Sequence, residues 1–142
     1  MKTLKIKTNS ILPEYKTKQS AGLDIYSSNG DDIVIKSGEV RKIPTDLKLE
    51  IPEGYFVAIY PRSSTGVKRN LMLANSTGII DSDYRGEIKL FFYNFGSKDQ
   101  IIKKNDRLAQ MVVQKYEKVK LEKVDKMSES DRGEKGIGST GK

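Results

Sequence analysis

The chain has no cysteine, no histidine and no tryptophan, only four prolines, and no long apolar run. Without cysteine there is no disulfide framework and no thiol nucleophile. Without histidine as well, the usual zinc sites and the commonest general base are excluded. Any catalysis must rest on carboxylates, hydroxyls, arginine and a hard metal ion. No stretch approaches the ~18 apolar residues of a membrane span, and the opening MKTLKIKTN lacks the apolar segment of a signal peptide. The expectation is a cytoplasmic protein with no membrane contact. The lack of staples is no handicap, because 142 residues make one domain able to bury roughly 68–70% of its unfolded surface.

Lysine and arginine total 26 against 19 acidic residues, a net charge of +7. That excess is either a solvated lysine surface or a sign of an anionic partner. Arginine accounts for only six of the 26, so a chain that normally uses lysine for charge has spent arginine sparingly. Arg62, Arg85, Arg107 and Arg132 fall in unusual short stretches. Guanidinium forks suit phosphate, so the expected partner is a phosphate compound.

Turn signals recur at Gly30, Gly38, Gly54, Gly66, Gly78, Gly86 and Gly96, the spacing of an all-β protein. Strands are predicted in DIVIK, DLKLEI, YFVAIY, EIKLFFYNF and RLAQMVVQKY, with at most one short helix in RSSTGVK. EIKLFFYNF is apolar on both faces, which predicts two-layer packing or a subunit interface. Residues 115–135 are crowded with charge and predict a last strand followed by a mobile tail.

Two motif matches fail. GIGSTG, Gly136 to Gly141, fits a dinucleotide fingerprint, yet only Lys142 remains to form the helix that must follow. DSDYRG begins like a calcium loop, but Arg85 and Phe92 stand where ligands belong. Four stretches remain. PRSS sets Arg62, Ser63 and Ser64 after an apolar strand, suited to an anion. ANSTGIIDSDYRGE, residues 74–87, reads as a hairpin that brings Asp81 to the end of Ile79–Ile80. RLAQMVV puts Gln110 between Leu108 and Val112 on one face of a strand, where a buried amide needs partners. The glycine-rich tail RGEKGIGSTG offers Arg132, hydroxyls and accessible backbone N–H groups for wrapping phosphate.

Taken in order, AGLDIYS (21–27), PRSS (61–64), GIIDSDYRGE (78–87), RLAQMVV (107–113) and RGEKGIGSTG (132–141) resemble the five motifs of the trimeric dUTPases over nearly the whole chain. The resemblance implies a jelly-roll-like β-barrel over residues 1–126 and a flexible C-terminal lid over 127–142. It implies a homotrimer whose active sites are shared between subunits, and hydrolysis of dUTP to dUMP and pyrophosphate with Mg2+, which keeps uracil out of DNA and supplies dUMP for thymidylate synthesis. Asp81 would activate the attacking water, ionised as an ordinary aspartate is near neutrality. Asn75, with the backbone near Gly78, would pair with uracil, since an amide offers both donor and acceptor. Tyr84 would lie on deoxyribose and exclude a 2′-hydroxyl. Arg62, Ser63, Ser64 and Gln110 would hold the phosphates, and Asp24 would reach Mg2+ through water. Arg132, Ile137, Gly138, Ser139 and Thr140 would close over the bound nucleotide. Ordering such a tail costs on the order of 10–20 kcal/mol at roughly 1–2 kcal/mol per residue, so docking awaits the triphosphate.

Two positions depart from the family pattern. Ile137 replaces a phenylalanine that stacks on uracil, which predicts a weaker or faster-opening lid. Ser64 replaces the glycine of PRSG, with little effect expected. Three other readings of the same residues are a dCTP deaminase relative, a dUTPase-like nucleotide-binding protein that regulates a protein partner, and a basic β-barrel that binds single-stranded nucleic acid. The Asn75 group and the lid motif favour dUTP hydrolysis, with no nucleic-acid partner expected.

Overall fold

The computed structural model describes residues 2–137. The chain runs through β1 (Lys5–Lys7), β2 (Leu23–Tyr26), β3 (Ile33–Ile35), β4 (Val40–Glu50), β5 (Tyr55–Pro61), α1 (Ser63–Arg69), β6 (Leu71–Leu73), β7 (Gly78–Ile80), β8 (Ile88–Asn94), β9 (Gln100–Ile102) and β10 (Arg107–Lys115). All pairings are antiparallel. One sheet has the order β1-β4-β8-β6, a second β2-β10-β5-β7, and β3 pairs with β9. The architecture is jelly-roll-like, and among the described residues the strands form three sheets rather than one closed barrel.

The core draws on both large sheets. Ile43, Leu47, Leu71, Leu90 and Phe92 from one meet Ile25, Val57, Ile59, Leu108 and Met111 from the other. β8 shows how alternation builds this: Ile88, Leu90, Phe92 and Asn94 point inward while Lys89 and Phe91 are exposed. The buried Asn94 donates its amide to the carbonyls of Ile35 and Lys98, both at 2.9 Å, and accepts from the Gly96 N–H at 3.0 Å. The outer face of β8, expected to be covered, leaves Phe91 45% exposed in the single chain, and Phe95 just beyond the strand is 49% exposed.

Five of the seven glycine signals, Gly30, Gly38, Gly54, Gly86 and Gly96, fall in turns or bends, whereas Gly66 lies within α1 and Gly78 opens β7. Gly54 has φ +82°, the left-handed conformation that costs an ordinary side chain most, and its turn is closed by the Tyr55 N–H bonding to the Pro52 carbonyl. The helix in RSSTGVK forms as expected and ends at Asn70, φ +52°. The hairpin of residues 74–87 is wider than a simple turn. β6 and β8 are its paired arms, and the excursion between them carries β7 across to the other sheet, where it pairs with β5. After Tyr116 the described chain has no strand or helix, and residues 117–137 are exposed. Among the described residues no helix is long and apolar enough to cross a membrane.

Candidate functional site

The first cluster lies on the outer face of the second sheet. Antiparallel register sets Asp24 opposite Gln110, and Gln110 opposite Tyr60, so β2, β10 and β5 present these three side chains in one row. The sequence reading put Gln110 on the face of Leu108. The structure corrects this: the register shifts between Arg107 and Ala109, so Leu108 turns into the core beside Ala109 and Met111, and Gln110 emerges half-buried on the outer face. Gly22 makes room for it, since a Cβ there would stand 2.6 Å from the Gln110 Oε1.

Arg62 follows directly after β5, where its N–H bonds to the Leu108 carbonyl at 3.1 Å. Its Nε lies 3.2 Å from Asp24 Oδ1, and the Arg107 Nη1 lies 3.1 Å from Asp24 Oδ2. Asp24 is nearly buried, so its charge needs these partners. Two guanidiniums on one carboxylate leave a net positive charge, and of these groups Asp24 and Arg62 line a cleft of about 390 Å³ together with Ser63. Ser64 is half-buried in the first turn of α1, where helix geometry provides no intrahelical acceptor for its N–H. Lys16 lines the same cleft and pairs with Glu14. The Lys16 hydrogen bond and charge hold the Glu14 carboxyl below its ordinary range, and the Glu14 hydrogen bond raises Lys16.

The second cluster surrounds the turn after β7. The Tyr84 N–H bonds to the Asp81 carbonyl at 3.2 Å, and the Arg85 Nη1 donates to the carbonyls of Ser82 at 2.7 Å and Tyr84 at 3.1 Å, so Arg85 ties the turn together. Asp81 is exposed and lines both a cleft of about 900 Å³, shared with Asp83, Arg85 and Tyr116, and a cavity of about 270 Å³, shared with Tyr84. The latter has Ile79, Ile80 and Phe91 in common with a cavity of about 100 Å³ lined by Asn75 and Gly78. Asn75 sits at an exposed corner whose next residue, Ser76, has φ +57°. Gly78 lies against Ile59, and a Cβ there would stand 3.1 Å from that side chain and 3.8 Å from the Asn75 Nδ2.

The chain thus joins Asn75, Gly78, Asp81 and Tyr84 into one region and Asp24, Arg62, Ser63 and Gln110 into another. Asp81 and Arg62 are not brought together, although Gly78, opposite Ile59, lies nearer the Arg62 end. Ile80 pairs with Val57 near the start of β5, which places Asp81 beside the Phe56 end, whereas Arg62 follows the far end. At ~3.3 Å per residue the six steps from Phe56 to Arg62 span about 20 Å. In the tail, the Arg132 Nε donates to the Lys135 carbonyl at 3.1 Å and the Gly133 N–H bonds to the Ser130 carbonyl at 3.0 Å. Ile137 is fully exposed. Gly138, Ser139 and Thr140 lie outside the described residues.

Among the described residues there is no group of three or more carboxylates able to enclose a metal ion. Asp24 fits the role of a partner acting through water. Its two oxygens are oriented by the arginines, and a carboxylate has about four acceptor positions, so lone pairs remain for metal-bound water. Sequence reasoning assigned no role to Lys16, which lines this cleft, or to Arg107, which pairs with its Asp24. The scarcity of arginine pointed to Arg107, while nothing in the sequence distinguishes Lys16 from the other lysines.

Comparison with known proteins gives a consistent result. The dUTPase family model matches residues 8–141. The deoxyuridine 5′-triphosphate nucleotidohydrolases of Rickettsia felis and Rickettsia prowazekii are 45% and 47% identical over 130 residues, covering 92% of this chain and 88% of each relative. A structure of the Staphylococcus bacteriophage 80alpha dUTPase with dUPNHPP superposes with a TM-score of 0.89 at 30% identity, covering 99% of both chains. The phage phi11 dUTPase gives 0.80 at 26% identity over 89% of this chain and 98% of that one.

Proposed function

The chain belongs to the dUTPase family, and on that premise we propose how its residues hydrolyse dUTP. Uracil enters the cavity at Asn75 and Gly78, where the Asn75 amide and neighbouring backbone groups pair with its polar edge. The narrow approach beside Ile59 leaves no space for the methyl group of thymine. Tyr84 packs against deoxyribose, where a 2′-hydroxyl would collide with its ring. Asp81 orients a water molecule and takes its proton as the oxygen attacks the α-phosphorus. The bond to the bridging oxygen breaks, and pyrophosphate leaves with that electron pair.

The phosphate chain is held by Arg62, Ser63, Ser64 and Gln110. Asp24 would hold Mg2+ through water, and the ion when bound supplies neutralisation of charge on the triphosphate oxygens. Arg132, Ile137, Gly138, Ser139 and Thr140 close the site and exclude bulk water.

One observation carries the assembly reading. Asp81 and Arg62 lie at opposite ends of β5, about 20 Å apart at ~3.3 Å per residue. A triphosphate cannot span that distance, yet each region has half of the chemistry the reaction needs. A second copy must bring its Arg62 region to the Asp81 region of the first, which supports a homotrimer with shared sites. The exposed Phe91 and Phe95 supply apolar surface for such contacts.

The test is pyrophosphate release from dUTP, dTTP, dCTP and UTP with Mg2+, for the full chain and for a chain ending at Lys126. The reading predicts release from dUTP alone, largely lost in the shorter chain. Equal release from UTP contradicts the role of Tyr84, and undiminished release from the shorter chain contradicts the lid.

A further inference from the structure

Tyr84 is held by its neighbours rather than by its own packing. It is 45% exposed, so burial does not fix its ring. Its hydroxyl donates to the Glu87 backbone carbonyl at 3.0 Å. The ring lies directly on Gly86, where a Cβ would stand 2.3 Å from the Tyr84 Oη and 2.5 Å from its Cζ. No real Cβ tolerates such contacts, so any side chain at position 86 would drive the ring off its seat.

Glu87 is in turn anchored away from the site. One carboxylate oxygen, Oε1, accepts the N–H of Thr45 at 3.2 Å and the N–H of Asp46 at 3.1 Å. These residues form the irregularity in β4, where the register with β8 shifts between Pro44 and Leu47 and Asp46 takes φ +54°. Such a bulge leaves backbone N–H groups out of the ladder, and Thr45 is buried, so an unpaired N–H there is costly. The Thr45 hydroxyl also donates to the Ile88 carbonyl, which locks the bulge to the residue after Glu87. A rigid sheet thereby fixes the end of the turn that carries Tyr84.

We propose that Gly86 and Glu87 are positioning residues that set the sugar selectivity of the enzyme: Glu87 clamps the β4 bulge at Thr45 and Asp46 and offers its carbonyl to Tyr84, while Gly86 supplies the seat for the ring. The proposal rests on the reading that Tyr84 packs against deoxyribose. Because a single oxygen accepts both N–H groups, glutamine can replace glutamate without losing the clamp, whereas alanine cannot.

The test compares kcat/KM for dUTP and UTP in the wild-type enzyme, Glu87→Ala, Glu87→Gln and Gly86→Ala. Expected is a preference for dUTP that falls on the order of tenfold in Glu87→Ala and Gly86→Ala and returns in Glu87→Gln. A purely structural role lowers both substrates alike and leaves the ratio unchanged, which overturns the proposal. A wild-type enzyme without sugar preference overturns the reading of Tyr84 and this inference with it. A preference retained in Gly86→Ala and Glu87→Ala overturns the inference alone. Should Glu87→Ala not fold, Gly86→Ala carries the same comparison.

Discussion

On the proposed reading, Asp81 and Arg62 contribute through the shapes of their side chains as much as through charge. Asparagine at position 81 keeps the size and the hydrogen bonds but cannot accept a proton from water, so Asp81→Asn should lower kcat by roughly 10²–10⁴-fold with little change in affinity for a non-hydrolysable dUTP analogue. Single-turnover kinetics beside calorimetric binding separates the two quantities. Lysine at position 62 keeps the charge but loses the Nε contact that holds Asp24 Oδ1 at 3.2 Å. Arg62→Lys should therefore raise KM for dUTP by about tenfold, and an unchanged KM would mean that charge alone suffices. Ile137→Phe should lower KM through a stacking contact of ~1–3 kcal/mol. Unchanged KM and kcat would show that the lid does not reach the base. The Asp81 and Arg62 motifs were legible in the sequence because both are short and ordered along the chain. The partnership of Arg62 and Arg107 on Asp24 was not, because it depends on β2 lying beside β10, a pairing made across more than 80 residues.

Among the elements, β10 shows most clearly where periodicity misleads. Strict alternation put Leu108 and Gln110 on one face, but a single irregularity after Arg107 separates them and frees the amide to face the cleft. Bulges have no composition signal in this strand. Gly22, one strand away, accommodates that amide. Gly22→Ala should leave thermal stability within about 1 kcal/mol, since the colliding atom is the end of a flexible side chain, yet raise KM for dUTP several-fold by displacing Gln110. Equal KM for both forms would remove Gln110 from substrate binding. The turn between β3 and β4 has a pH signature. Glu39 is held below its ordinary value mainly by the Lys36 N–H, with Arg41 adding to this. A lowered folded value means the contribution is complete above the ordinary carboxylate range and lost as pH falls through the folded value. Glu39→Gln should flatten the acid side of the thermal stability profile.

At the scale of the molecule, the sequence made the all-β class legible through turn signals, and the structure resolves it into two four-stranded sheets and a two-stranded one. What no periodicity could give is the distribution of the site. Motifs that stand together on paper as parts of one reaction separate to opposite ends of β5 once the strands pair. On the proposed reading, the two incomplete halves on one chain become whole sites when copies meet. The most direct test mixes two inactive variants, Asp81→Asn and Arg62→Ala, unfolds and refolds them together, and measures pyrophosphate release from dUTP. Each hybrid site that takes Asp81 from one subunit and Arg62 from another is intact, so random assembly should restore about a quarter of the wild-type rate. A refolded mixture as inactive as its separate components, beside an active wild-type enzyme, would contradict the shared site and place the whole reaction within one chain.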